Sequence, residues 1–241
     1  MSGGTITRAI DGTAMLQWVG GLGAVTAEAL ADREGTTVSS ARARLAAAVR
    51  ARLLSHARPL AAQPALYALT RAGVRASRIA GLQPCRVSAS NALHLIVCAG
   101  VAAGLERCYP DHGVIGERDL RRREREAGAP LASARLGRGS GEERQLHRPD
   151  LVLLPAAAER GLPVAVEVEL AVKAPRRLTV ICRSWARCKE VAGVLYLATP
   201  GAERALLRAL AEADARSRVV VVPLDALPGA HARALAGAES L

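Results

Sequence analysis

Residues 163–170 read Pro-Val-Ala-Val-Glu-Val-Glu-Leu, a β-branched run of strand character that carries two carboxylates. Alternate residues of a strand share a face. Glu167 and Glu169 therefore point one way with Ala165, while Val164, Val166, Val168 and Leu170 point the other. An unpartnered carboxylate in a dry interior costs several kcal/mol. Either this strand shows one face to water, or the two acids serve a site.

The neighbouring runs decide what kind of sheet the strand joins. From Asp150 onward the chain alternates between two periods. Residues 151–155 and 162–171 read as strands around the turn 156–161. Residues 174–191 read as a helix, with Pro175 tolerated in its first turn. Gly193-Val-Leu-Tyr-Leu-Ala-Thr is continuously apolar, as in a strand covered on both faces. A helix over 201–215 and a strand over 217–225 complete the pattern. It predicts a mixed α/β sheet.

The first half follows different rules. A short helix is expected over Thr13–Val19, closed by Gly-Gly-Leu-Gly. Thr26 can cap a helix that ends near Gly35. A second capped helix follows, with Val38, Ala41, Leu45, Ala48 or Val49, and Arg52 or Leu53 at a 3.6-residue spacing. Residues 53–70 then read as strand, Pro-marked turn, strand. Two helices and a tight turn followed by a hairpin make a winged helix-turn-helix over 10–82. In that arrangement the third helix enters the major groove, and Thr37, Ser39, Ser40, Arg42 and Arg50 reach DNA, with hairpin Arg58 on phosphate. The competing reading is a helical pair and hairpin that makes only protein contacts. The change of pattern near 82–86 sets off a second domain, 86–241.

Charge agrees with a polyanionic partner: the formal net charge is +11 and the pI about 10.6. Double-stranded DNA is the expected one. The chain has no Phe, so Ala, Leu and Val must fill the core. The five cysteines form no C-x-x-C pair, and no His spacing completes a zinc site. They read as reduced thiols acting as small buried hydrophobes, which suits the cytoplasm. No basic segment followed by an apolar run marks a signal peptide. The most apolar stretch, 92–105, is too short to span a bilayer and reads as a buried helix with His94 as a packed core histidine. No membrane is expected as a partner.

Asp150 begins the strand before Glu167. Paired through their turn, the two strands bring Asp150 towards the glutamates at one sheet end, with Glu117 and Lys173 as the remaining charges. An oxygen-only group favours Mg²⁺ or Mn²⁺. Such an ion, on Asp150 and Glu167, polarises a phosphodiester and activates water, with Lys173 assisting. His147 precedes the Asp150 strand and could approach the phosphate. In the competing reading the acids pair with Arg148, Arg176 and Arg177 and the domain only mediates assembly. Trp185 reads as packing, and Arg121–Arg123 as a solvated helix face or a DNA-backbone contact.

Pro149-Asp150, the Glu-Val-Glu of 167–169 and Glu117 in Gly-Glu-Arg-Asp-Leu resemble the PD-(D/E)XK nuclease superfamily. The resemblance gives catalytic roles to Glu117, Asp150, Glu167, Glu169 and Lys173. The chain departs from the superfamily pattern at Glu169, where a lysine is expected, and Lys173 lies four residues beyond. With Tyr-Ala-Leu-Thr-Arg-Ala-Gly-Val-Arg (67–75), the His94 helix, His-Arg-Pro-Asp-Leu-Val-Leu-Leu (147–154) and Gly-Val-Leu-Tyr-Leu-Ala-Thr (193–199), the order of motifs is similar to that of the replication-relaxation family of plasmids and other mobile elements. The resemblance implies a chain that is α/β (α+β overall). A winged helix-turn-helix would precede a restriction-endonuclease-like mixed-sheet domain. It implies DNA binding in replication, relaxation or transcriptional control, with a nuclease-like domain degenerate in its lysine motif. The alternative is a Mg²⁺-dependent DNA endonuclease targeted by the winged helix. A homodimer reading two half-sites fits either.

Overall fold

The computed structural model describes residues 12–137, 145–156, 161–227 and 229. Capping chemistry sets out the N-terminal half. Helix α1 (Gly12–Leu22) leads into the short strand β1 (Ala24–Val25). Thr26 caps α2 (Ala27–Glu34) by accepting the Ala29 N–H, and Gly35 closes it at φ 62°. Thr37 caps α3 (Val38–Arg50) in the same way, through the Ser40 N–H. A hairpin of β2 (Leu54–Ala57) and β3 (Leu66–Leu69) follows, and β1 pairs with the other edge of β3. Thr70 caps α4 (Arg71–Ser77) and donates its hydroxyl to the Arg52 carbonyl at 2.7 Å.

Helix α5 (Ala89–Cys108) is apolar nearly all round, and such a helix is stable in water only when it is surrounded. Its Ala92 and Ile96 pack on Ala24, Leu66 and Ala68 of the small sheet. Val97 and Val101 join a cluster that runs from Leu16, Leu30 and Leu45 to Leu151, Val166 and Leu197. One apolar core thus continues across residues 82–86. Among the described residues α5 is also the one helix long and apolar enough to cross a membrane, and most of it is enclosed by protein.

The larger sheet begins with β4 (Gly113–Gly116), which runs into α6 (Glu117–Ala127). A small ladder of β5 (Ala134–Arg135) and β6 (Leu146–His147) precedes β7 (Leu151–Leu154) and β8 (Val164–Glu169). Then come α7 (Pro175–Arg187), β9 (Gly193–Ala198), α8 (Pro200–Ala213) and β10 (Val219–Pro223). The strand order is β10-β9-β8-β7-β4, parallel from β10 to β8 and antiparallel beyond. Helix α5 covers one face through Leu151, Val166 and Val168. Helices α7 and α8 cover the other, where Trp185, Leu206 and Leu210 meet Ala165, Val194 and Tyr196. The architecture is the mixed α/β sheet that the alternating pattern predicts.

The end of one expected helix is corrected. Helix α1 does not stop at Val19 but includes Gly20 and Gly21, because close packing outweighs their poor helix propensity. A Cβ on Gly20 would stand 2.7 Å from Leu82 Cδ2. Strands β5 and β6 pair across the stretch that contains residues 138–144, which, like 157–160 of the expected turn, lie outside the described residues. Strand β4, Gly-Val-Ile-Gly, carries too little side chain for its sequence to read as a strand.

The glycine at the end of β4 is required by its neighbour. A Cβ on Gly116 would lie 2.5 Å from the Gly21 carbonyl oxygen and 3.1 Å from Leu22 Cα, both backbone atoms. Gly116→Ala should therefore lower stability by roughly 1–3 kcal/mol, as overpacking does. Gly201→Ala in α8, where an added Cβ meets nothing within 4 Å, should leave the melting temperature unchanged or slightly raised. Equal melting temperatures for Gly116→Ala and wild type would refute this contact.

Candidate functional site

The site grows from a strand that has to stop. Pro149 has no N–H to continue the ladder, and the β7–β8 pairing ends at Leu151 opposite Val166. The free Val168 N–H donates instead to Asp150 Oδ2 at 2.8 Å. The Asp150 carbonyl accepts the Glu117 N–H at 2.9 Å, which ties in the start of α6. Asp150 Oδ1 lies 2.9 Å from His94 Nε2 on α5. Cys98, one turn along the same helix face, places Sγ 3.4 Å from that nitrogen.

The two glutamates of β8 do not face water. Glu167 and Glu169 are buried, at 3% and 5% exposure, on the side of the sheet that α7 covers. Glu167 Oε1 lies 2.6 Å from His147 Nε2 and accepts Trp185 Nε1–H at 3.1 Å. The Trp185 and His147 rings meet edge to face at 5.7 Å. Glu169 is ion-paired with Lys173. Trp185 is thus more than packing, and His94 is no plain core histidine: its ring is partly exposed and bonded to Asp150. The arginines expected to neutralise the acids go elsewhere. Arg148 pairs with buried Glu124 at 2.9 Å. Arg176 and Arg177 are exposed and line a cleft of about 590 Å³ with His147 and Gln145.

Proximity sets the charge states. Burial pushes the Glu167 carboxyl up, against the opposing pull of His147 and Lys173. Burial works most strongly against a charged His147, but the hydrogen bond and charge of Glu167, with the charge of Asp150, together outweigh it and leave the imidazole above its ordinary value. The pair therefore keeps a shared proton to higher pH than either group would alone. His94 is raised to about 11 by a Cys98 thiolate and by the Asp150 hydrogen bond. Burial holds Cys98 itself protonated up to about 11, so below that pH the Asp150 hydrogen bond and charge are what raise His94, against its own burial.

The fold brings Asp150, Glu167, Glu169 and Lys173 to the strand ends, although each acid has its own cationic partner. Asp150 is held from the α5 side, and Glu167 by Trp185 from the α7 side. The Asp150 charge still acts on Glu167 and His147. Glu117 follows Gly116, the strand residue opposite Leu151, but its carboxylate turns to exposed Arg121 on its own helix. Arg122 and Arg123 bond Asp119, so the arginine run is largely neutralised within α6. Among the described residues, the donors that converge to metal-binding spacing are those of His94, Cys98 and Asp150. A mixed nitrogen, sulfur and oxygen set does not match the oxygen shell of Mg²⁺ or Mn²⁺ expected on Asp150 and Glu167. Sequence spacing missed this group because its members come from α5 and from a strand more than fifty residues later; the one local signal was His94-x-x-x-Cys98.

The N-terminal candidates lie on α3 and just beyond the first hairpin strand. Thr37 serves as the α3 cap, while Ser39, Ser40, Arg42 and Arg50 are exposed along that helix and Arg58 lies exposed just beyond β2. Arg42 stands 3.5 Å from Glu28, whereas Arg50 and Arg58 make no ion pair among the described residues. Comparisons with family models, with curated proteins and with solved structures gave no match.

The His147–Glu167 pair makes stability pH-dependent. A histidine whose pKa is raised on folding contributes fully below its unfolded value near 6.5, and that contribution is lost as pH climbs through the folded value. A raised Glu167 acts with the same sign. Melting temperature should fall as pH climbs above about 6.5, and His147→Gln should flatten that fall. Parallel wild-type and His147→Gln profiles would rule out the pair as its source.

Proposed function

We propose that the chain binds double-stranded DNA through a winged helix-turn-helix and carries a nuclease-like sheet domain as a non-cutting scaffold. The outward face of α3 carries this reading. Ser39, Ser40, Arg42, Ala43, Ala47 and Arg50 are exposed there, with Arg58 beside the adjoining hairpin. The opposite face, Ala41, Leu45 and Ala48, is buried. Small side chains let a helix backbone settle into a major groove about 12 Å wide. Guanidinium groups without an ion pair among the described residues, at the end of the helix and beside the hairpin, suit the flanking phosphates, and Arg42 can exchange half-buried Glu28 for one. The net charge of +11 adds long-range attraction.

The scaffold role rests on the pairing of every strand-end acid with a cation: Asp150 with His94, Glu167 with His147, Glu169 with Lys173. A role in plasmid or mobile-element replication, relaxation or transcriptional control follows the order of motifs similar to the replication-relaxation family. Two copies would then read two half-sites. A metal-dependent endonuclease is the second reading. It is favoured by Lys173, whose charge acts on Glu167 and His147 although it sits four residues past the expected position.

Duplex binding measured against salt tests the first reading. Replacing Arg50 and Arg58 together by Ala should weaken binding and make the slope of log K against log salt shallower by about 2. Unchanged affinity and slope would reject α3 and the hairpin as the contact. Supercoiled plasmid with Mg²⁺ or Mn²⁺ should stay intact. Cleavage that Asp150→Ala abolishes would establish the endonuclease instead.

A further inference from the structure

His94 Nε2, Cys98 Sγ and an Asp150 carboxylate oxygen all lie within 4.8 Å of one another. The nitrogen stands 2.9 Å from the oxygen and 3.4 Å from the sulfur. Tetrahedral zinc takes bonds of about 2.0–2.1 Å to nitrogen, about 2.3 Å to sulfur and about 2.1 Å to oxygen. At the tetrahedral angle those lengths imply N···O and N···S separations of about 3.4 and about 3.6 Å. The His94 nitrogen therefore already stands within about half an ångström of ligand spacing from both of its partners.

The supporting structure suits a metal as well. His94 and Cys98 are four residues apart on α5, so the backbone of a rigid helix sets their mutual position. Asp150 is oriented by the Val168 N–H on its other oxygen, the kind of outer contact that holds a ligating carboxylate in place. Cys98 is buried, while the His94 side chain is 41% exposed, which leaves a path from solvent to a fourth coordination position. Nitrogen, sulfur and oxygen together suit a borderline ion and not Mg²⁺.

We propose that His94, Cys98 and Asp150 bind a zinc ion, with water in the fourth position. Coordination replaces the hydrogen bonds at Nε2, and the protons of the Cys98 thiol and the His94 Nε2 pass to solvent. The ion joins α5 to the start of β7, so it should also stabilise the fold. None of this depends on the DNA-binding reading.

Cobalt(II) added to the metal-free full chain is the probe. A single ion per chain should bind and give the visible absorption of tetrahedral cobalt with a near-ultraviolet thiolate-to-cobalt band. Cys98→Ser should abolish the thiolate band, while Cys108→Ser, at an exposed cysteine outside the group, should keep it. His94→Gln should weaken cobalt binding about tenfold or more. Zinc should bleach the cobalt spectrum, and a large excess of Mg²⁺ should not. Zinc should also raise the melting temperature of the wild type but not of Asp150→Asn, a variant of the same shape that tests the site even if Cys98→Ser folds poorly. No thiolate band in the wild type, a band that survives in folded Cys98→Ser, bleaching by Mg²⁺, or an equal zinc-induced rise in Asp150→Asn would overturn the proposal.

Discussion

The carboxylate of Asp150 is where the layers of this protein are tied together. The β7–β8 ladder ends at Leu151 opposite Val166, and beyond it the Val168 N–H needs an acceptor at the very point where the sheet meets α5. Asp150 supplies it with one oxygen and reaches His94 with the other. Its carbonyl holds the first turn of α6. A backbone defect that would leave a buried donor unsatisfied thus becomes a junction between β8, α5 and α6. The short spacing of His94, Cys98 and Asp150 is a consequence of that junction.

Around it the interior is built without phenylalanine. Ala92, Ala99, Ala102 and Ala103 keep α5 slim, so that one helix can be enclosed by the small sheet, α2 and the main sheet together. Close backbone approach takes over where bulk is lacking, as at Gly116 against Gly21 and at Gly73, whose Cβ would fall 2.0 Å from the Leu53 carbonyl oxygen. A core of this kind leaves little slack for volume changes. It also explains how a pattern break near 82–86 coexists with one continuous apolar cluster across it.

The Glu167–His147–Trp185 group shows a different economy. The carboxylate is buried because two donors reach the same oxygen, one from the approach to β7 and one from α7. Lys173 and Asp150 act on the pair with opposite sign and help to set its proton. Arg176 and Arg177 remain uncovered beside the His147 cleft, and with the arginines of α3 and the hairpin they keep the basic surface outward.

Local rules reached much of this. Threonine caps, the α3 stripe, the apolar strands and the shared face of Glu167 and Glu169 follow from residue type and period, because each depends on neighbours within a few positions. The strand β4 escaped because its glycines hide it, and α1 ran longer than expected because Gly20 is packed against Leu82. The partners of the acids escaped for a stronger reason. His94, His147, Trp185 and Lys173 compete with Arg148, Arg176 and Arg177 for the same carboxylates, and sequence distance does not rank them. The chain by itself determined most of the elements, which faces are apolar and that the two acids of β8 share one face. Only the tertiary structure decided which cation meets which acid, since that choice depends on how α5 and α7 lie against the two faces of the sheet, and no local spacing encodes it.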